Sequence, residues 1–361
     1  MIRYLLPLLF FSFSGLSQEL TSIQPTKLGY KASFFSKTGE QALKEIPSLG
    51  SMLVWKDSGL VYESYFNGTS SNTLFQLKSV TKTVTSALAG IASDKGYLPA
   101  LETPVLSLFP EYDTDITANE NVWYSQLMNE TDSLKRTLTI HNLLTMQAGF
   151  EWQDNSNLSH RAFQASSDPV KFVLELPYSS IPGTTFNYCT GASHVMSAVI
   201  SRCVKTDLKT FADSVLFEPL GIQQTNWTCD PTGIVAGGAE LSMKADDMMK
   251  FGLLFLNKGK LGDQQLISEK WVNESTSEQA ELNEWDVLPQ ANGYGYYWWR
   301  RMTNGHQAIV ASGYGGQIIC IVPDLKLIVV TTCLINEQNR GRSEIKRLHT
   351  IIDRIVKASI N

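Results

Sequence analysis

Strand-forming runs near both ends of this 361-residue chain, with a long helical stretch between them, constrain its fold more than any other feature. Near the start, SMLVWKDSGLVYESYFNG places Leu53-Val54-Trp55 and Val61-Tyr62 on either side of Asp57-Ser58-Gly59, the pattern of a β-hairpin. Near the end, GYGYYWW, HQAIVASGYGGQIICIVP and LKLIVVTTCLI read as three antiparallel strands, and RSEIKRLHTIIDRIVKAS as a final amphipathic helix. The segments between them, among them TIHNLLTMQAGF, DPVKFVLELP, ASHVMSAVISRCV and KTFADSVLFEPLG, carry helical periodicity. SMKADDMMKFGLLFLNKG is a further helix, with Ser242 expected as its cap and Gly259 as its stop.

This order predicts an α+β fold: an antiparallel sheet of about five strands drawn from both ends of the chain and flanked by helices. A helical subdomain spanning about residues 99–235 is inserted into an α/β part made of about 18–98 and 236–361. A hydrophobic content of 43% allows a large core. The 30 basic and 35 acidic residues are spread without long runs of one sign, so no nucleic-acid partner is indicated and a small-molecule substrate is expected.

The opening MIRYLLPLLFFSFSGLSQE puts Arg3 before an apolar run from Tyr4 to Phe13 and then small residues at Gly15 and Ser17, the layout of a secretion signal over residues 1–17. The run is about half of the roughly 20 residues a spanning helix needs, so an exported, periplasmic or secreted protein without stable membrane insertion is expected. Five Cys is an odd number. Cys189 and Cys203 flank a helix about 21 Å long, too far apart to bridge. Cys320 is expected to face a residue near Leu327 to Val330 on the next strand, which keeps it from Cys333.

Ser79-Val80-Thr81-Lys82 opens a helix predicted to start at Ser79 and to bury Val80, Val84, Ala87, Leu88 and Ile91 on one face, with Gly96 as its stop. Residues at i and i+3 share a face, so the Lys82 amine can reach the Ser79 hydroxyl. A helix N-terminus also offers a backbone N–H suited to an oxyanion. Spacing alone does not separate this motif from Ser343-Glu344-Ile345-Lys346 in the last helix.

The surrounding sequence does. FQLKSVTKTVTSALAGIASDKGYLPALETPVLSLFPEY resembles the active-site stretch of the β-lactamase-related serine hydrolases, the family of class C β-lactamases and penicillin-binding proteins. TIHNLLTMQAGFEW, PGTTFNYCTGASHVMS, AGGAELSMKADDMMKFGLLFLNKG and GYGGQIICIVPDLKLIVVTT follow in the family's order. The resemblance implies that Ser79 is the acylated nucleophile, that Lys82 is its partner, and that Tyr188 is the catalytic tyrosine. An adjacent Lys82 ammonium is expected to favour the Tyr188 phenolate.

Two positions depart from the family pattern. Thr190 stands where the family usually has Asn, and Ala311-Ser312-Gly313 stands where it has Lys-Thr-Gly. The literal Lys37-Thr38-Gly39 precedes the nucleophile and reads as a chance turn. Without a lysine at Ala311 the cation that holds a β-lactam carboxylate is missing, so strong β-lactamase activity is disfavoured. The backbone N–H groups of Ser79 and Tyr314 still form the implied oxyanion hole, with Ser312, Gly313, Thr190 and Trp152 toward substrate. Trp298 and Trp299 are further candidates for an apolar wall.

There is no Gly-x-Ser-x-Gly elbow, and the five His residues lack zinc-site spacing, so no metal or organic cofactor is called for. The expected activity is hydrolysis of small esters or amides. A D-alanyl peptidase or weak β-lactamase is the second expectation, and a non-catalytic binding protein of the same fold the third.

Overall fold

A computed structural model of the chain describes residues 20–113, 133–154, 157–282, 288–335 and 342–360. The secretion signal expected over residues 1–17 lies outside the described residues, as do residues 114–132 of the helical subdomain expected over about 99–235. No helix among the described residues is long and apolar enough to cross a membrane.

The strands are β1 (Leu49–Lys56), β2 (Gly59–Tyr65), β3 (Phe75–Gln76), β4 (Asn226–Trp227), β5 (Leu241–Met243), β6 (Lys260–Leu261), β7 (Gln264–Gln265), β8 (Ala291–Tyr294), β9 (Trp299–Thr303), β10 (His306–Gly313), β11 (Gln317–Val322) and β12 (Leu327–Cys333). Seven of them form one antiparallel sheet in the order β2-β1-β12-β11-β10-β9-β8. The two chain ends therefore meet at the β1–β12 seam, where Leu53 pairs with Val330 and Val54 with Val329. The sheet has seven strands rather than five, because HQAIVASGYGGQIICIVP divides at Tyr314-Gly315-Gly316 into β10 and β11, and GYGYYWW with its flanking residues divides into the short edge strands β8 and β9, with a bulge between Ala291 and Gly293. Their apolar signal is aromatic rather than alternating.

The helices are α1 (Phe34–Glu45), α2 (Thr81–Asp94), α3 (Ile140–Leu144), α4 (Asn157–Ala165), α5 (Pro169–Leu174), α6 (Thr190–Val204), α7 (Leu208–Ala212), α8 (Ala245–Leu256), α9 (Glu269–Thr276) and α10 (Arg342–Ala358). Every residue of β11 and β12 is buried, since α8 covers one face of the sheet and α1 with α10 the other. Burial on both faces accounts for continuous apolar runs where alternation would mark a half-exposed sheet. On the α8 side, a Cβ on Gly252 would lie 3.0 Å from Ile319 and 3.3 Å from Ile328, so glycine sets the close approach of helix to sheet. On the α10 side, the fully buried Arg301 of β9 pairs with Asp353 at 2.9 Å and donates to His349 Nδ1 at 2.9 Å.

Two local expectations are corrected. Ser242 does not cap α8. It lies in β5, and the helix starts after Lys244. Ser79 is not the first residue of α2 but the middle of a 3₁₀ turn, Lys78–Val80, that leads into it. The buried helix expected here is found, with every residue from Thr81 to Ala92 buried. Its polar side chains find partners inside, with Thr83 Oγ1 donating to Val80 O and Thr85 Oγ1 to Gly237 O. All five cysteines are free thiols, and Cys320 faces Val329 across the β11–β12 ladder, within the expected span.

Candidate active site

The 3₁₀ turn before α2 gives Ser79 a position at the floor of a cleft of about 980 Å³ lined by Tyr188, Thr190, Trp299, Ser312, Gly313 and Tyr314, among others. Lys78, immediately before Ser79, sits at φ 51°, so the chain turns sharply at the serine. Gly313, the last residue of β10, packs on this turn. A Cβ there would fall 2.3 Å from Leu77 O, so only glycine lets the strand end approach the serine turn this closely.

Lys82 sits one helical turn beyond Ser79 and is 1% exposed. Its Nζ donates to Ser79 Oγ at 3.1 Å, Thr190 Oγ1 at 3.2 Å and Gly238 O at 2.8 Å. Three acceptors match the three N–H bonds of an ammonium. Burial nevertheless penalises the charge, and the Lys82 pKa is lowered to about 8 despite the opposing attraction of Asp154.

Tyr188 precedes α6 and is buried, stacked on Trp299 with ring centroids 5.6 Å apart. Lys82 Nζ lies over its ring, and its hydroxyl is hydrogen-bonded to Ser79. The phenolate expected from the Lys82 charge is not supported. Burial and the Asp154 carboxylate push the Tyr188 pKa well above that of a free tyrosine, outweighing the Ser79 hydrogen bond. Burial therefore favours the neutral phenol over the phenolate.

Thr190 opens α6 at the cleft wall, and its hydroxyl reaches Lys82 although it lacks the second arm of the family's Asn. Ser312 lines the cleft, while Ala311 is fully buried. Trp152 does not reach the cleft wall expected for it. It lies behind the wall, 3% exposed, and its indole N–H donates to Asp154 Oδ1 at 3.0 Å. Trp298 also belongs to the core, packed on Phe251 and Phe255, which leaves Trp299 as the tryptophan of the three that faces the cleft.

Two residues at the cleft, Asp154 and Gly238, carried no signal in the sequence. Asp154 Oδ1 accepts from Thr190 N at 3.1 Å as well as from Trp152, and lies 3.3 Å from His160 Nε2. Burial raises the Asp154 pKa, but the His160 hydrogen bond and the Lys82 charge together hold it well below the usual carboxylate range. Gly238, which supplies a carbonyl to Lys82, packs on α6 so closely that a Cβ would meet Ser193 Oγ at 2.3 Å. His194 lines the cleft and pairs with Asp230 at 2.9 Å, with both side chains buried. Asp154 and Asp230 lie far from Lys82 in sequence, and only the fold brings them to one cleft.

The seven-stranded sheet, the buried helix leading from the serine turn and the cleft beside β10 together define the serine β-lactamase and penicillin-binding-protein fold. The Beta-lactamase family model matches residues 40–353, and the chain belongs to that family. No curated protein matches it. Among solved structures, the chain is similar to a candidate 6-aminohexanoate-dimer hydrolase from Bacillus anthracis (TM-score 0.67, 19% identity, 88% of this chain and 81% of that one). It is similar to the octameric penicillin-binding protein homologue from Pyrococcus abyssi (TM-score 0.65, 17% identity, 91% and 77%). EstCE1, a hydrolase with promiscuous acyltransferase activity, is a third (TM-score 0.69, 14% identity, 88% and 97%).

Proposed function

We propose that the protein hydrolyses small esters or amides through an acyl-enzyme on Ser79. The observation that carries this reading is the triple hydrogen bonding of Lys82, which joins the Ser79 hydroxyl to two fixed acceptors in a buried site.

The base is Lys82 rather than Tyr188. With its pKa lowered to about 8, a useful fraction of the amine is neutral near neutral pH, whereas the phenol holds its proton. Neutral Lys82 takes the Ser79 proton as Oγ attacks the carbonyl carbon, and the oxyanion is received by the backbone N–H groups of Ser79 and Tyr314. On collapse, Tyr188 gives its proton to the departing alkoxide or amine and regains one from the Lys82 ammonium. Lys82 is then neutral again and able to deprotonate the water that releases the acyl group. The reaction needs no metal or organic cofactor.

The departures at Ala311 and Thr190 favour esters and simple amides over β-lactams, and the names of EstCE1 and the B. anthracis protein agree with that class. Rates of p-nitrophenyl acetate and butyrate hydrolysis test the proposal. Wild type is expected to turn both over, and Ser79→Ala to fall to background. Equal release by the two proteins would overturn it.

A further inference from the structure

The charged groups that line the cleft are nearly all committed to protein partners. Asp230 is held by His194, Thr232 and the Ile234 amide. Glu240 accepts from Gln76 at 2.5 Å and lies 4.0 Å from Lys78. Asp154 differs, because its two oxygens are used unequally. Oδ1 takes all of its contacts, from Thr190 N, Trp152 Nε1 and His160 Nε2, while Oδ2 has no partner among the described residues. The side chain is 18% exposed and lines the cleft.

A carboxylate fixed by three donors on one oxygen keeps its second oxygen directed and available. The cleft around it also carries Phe163 and Trp299, rings of the kind that attract cations, whereas the Tyr188 ring is already stacked on Trp299 and faced by Lys82. Lys82, whose charge also acts on Asp154, is neutral in the form that acts as base, which weakens the positive field at the carboxylate when acylation begins.

We infer that Asp154 Oδ2 anchors a cationic nitrogen of the substrate, so that the preferred ester or amide carries an ammonium group on the part held in this cleft. This rests on the hydrolase reading of the same site and deepens it. Asp154 is a specificity residue in this role, with no bond made or broken at it.

The test compares the p-nitrophenyl ester of 4-(trimethylammonio)butyrate with its neutral isostere, the ester of 5,5-dimethylhexanoate. Wild type is expected to favour the cationic ester in kcat/KM by about tenfold or more, the size of one partly buried ion pair. Asp154→Asn is expected to bring that ratio to within about twofold of one. An equal rate on the two esters in wild type, or a preference that survives in D154N, would overturn the inference. Should D154N not fold, inhibition of wild type decides: choline is expected to compete with the neutral ester at least about tenfold better than 3,3-dimethylbutan-1-ol, and equal inhibition would overturn the assignment. If wild type hydrolyses neither ester, it is the hydrolase reading that fails. The subsite is then judged by calorimetric binding of choline to wild type, which is expected to be measurable and stronger than that of 3,3-dimethylbutan-1-ol, with no binding counting against it.

Discussion

Lys82 holds its Nζ 4.9 Å from the centroid of the Tyr188 ring, and Ser79 is hydrogen-bonded to both side chains. Two proton-handling groups this close divide the roles according to how burial treats their charges. Desolvation disfavours the ammonium and the phenolate alike, so it drives the site toward neutral amine and neutral phenol. That state has one base, Lys82, and one acid, Tyr188.

The first consequence concerns pH. Lys82 must lose its proton to act, and its pKa is lowered to about 8. The rate of ester hydrolysis under kcat/KM conditions should therefore climb about tenfold per pH unit below that value and level off above it. A profile flat from pH 6 to 9 would contradict Lys82 as the base.

Restoring the family's lysine at position 311 should not restore β-lactam handling. Ala311 is fully buried between neighbouring strands, so Ala311→Lys places an ammonium in the core. A loss of about 2 kcal/mol or more in stability is expected, read as a drop in melting temperature. Wild type exposed to a fluorescent penicillin should show no lasting label. A stable penicilloyl adduct would favour the peptidase reading.

Acid should loosen the C-terminal helix packing. His349 is fully buried, accepts from Arg301 at Nδ1, and has its pKa lowered first by burial and then by the Arg301 charge. The native state therefore keeps it neutral while the unfolded chain protonates it near pH 6.5. Its contribution is present above that pH and is lost as pH falls below it, by up to about 1.4 kcal/mol per pH unit. His349→Gln should flatten the fall in denaturant midpoint between pH 6.5 and 5, and an unchanged slope would remove His349 as the cause.

The hairpin at Asp57-Ser58-Gly59, the β11–β12 register and the Ser79–Lys82 pairing were legible in sequence because each depends on residues close together in the chain. The division of GYGYYWW between β8 and β9, and of HQAIVASGYGGQIICIVP between β10 and β11, was not, since an aromatic run fits strand and core alike and the turn at Tyr314-Gly315-Gly316 sits inside an otherwise apolar run. Trp152 illustrates a further limit: its composition suits a pocket wall, but which side of the wall it occupies is set by the distant start of α6. Asp154 was invisible for the same reason, being tied to α6 through the Thr190 amide, a contact no local pattern encodes. The protonation state of Tyr188 went the other way from expectation because proximity to Lys82 is readable from a motif, whereas the depth of burial that overrides it is a property of the whole fold.

The measurement closest to the central claim is intact-mass spectrometry after exposure to a fluorophosphonate and to an activated p-nitrophenyl ester, with wild type and Ser79→Ala side by side. A single adduct on wild type that maps to Ser79, with none on the variant, is the predicted result. Equal labelling of both proteins, or of neither, would contradict Ser79 as the nucleophile.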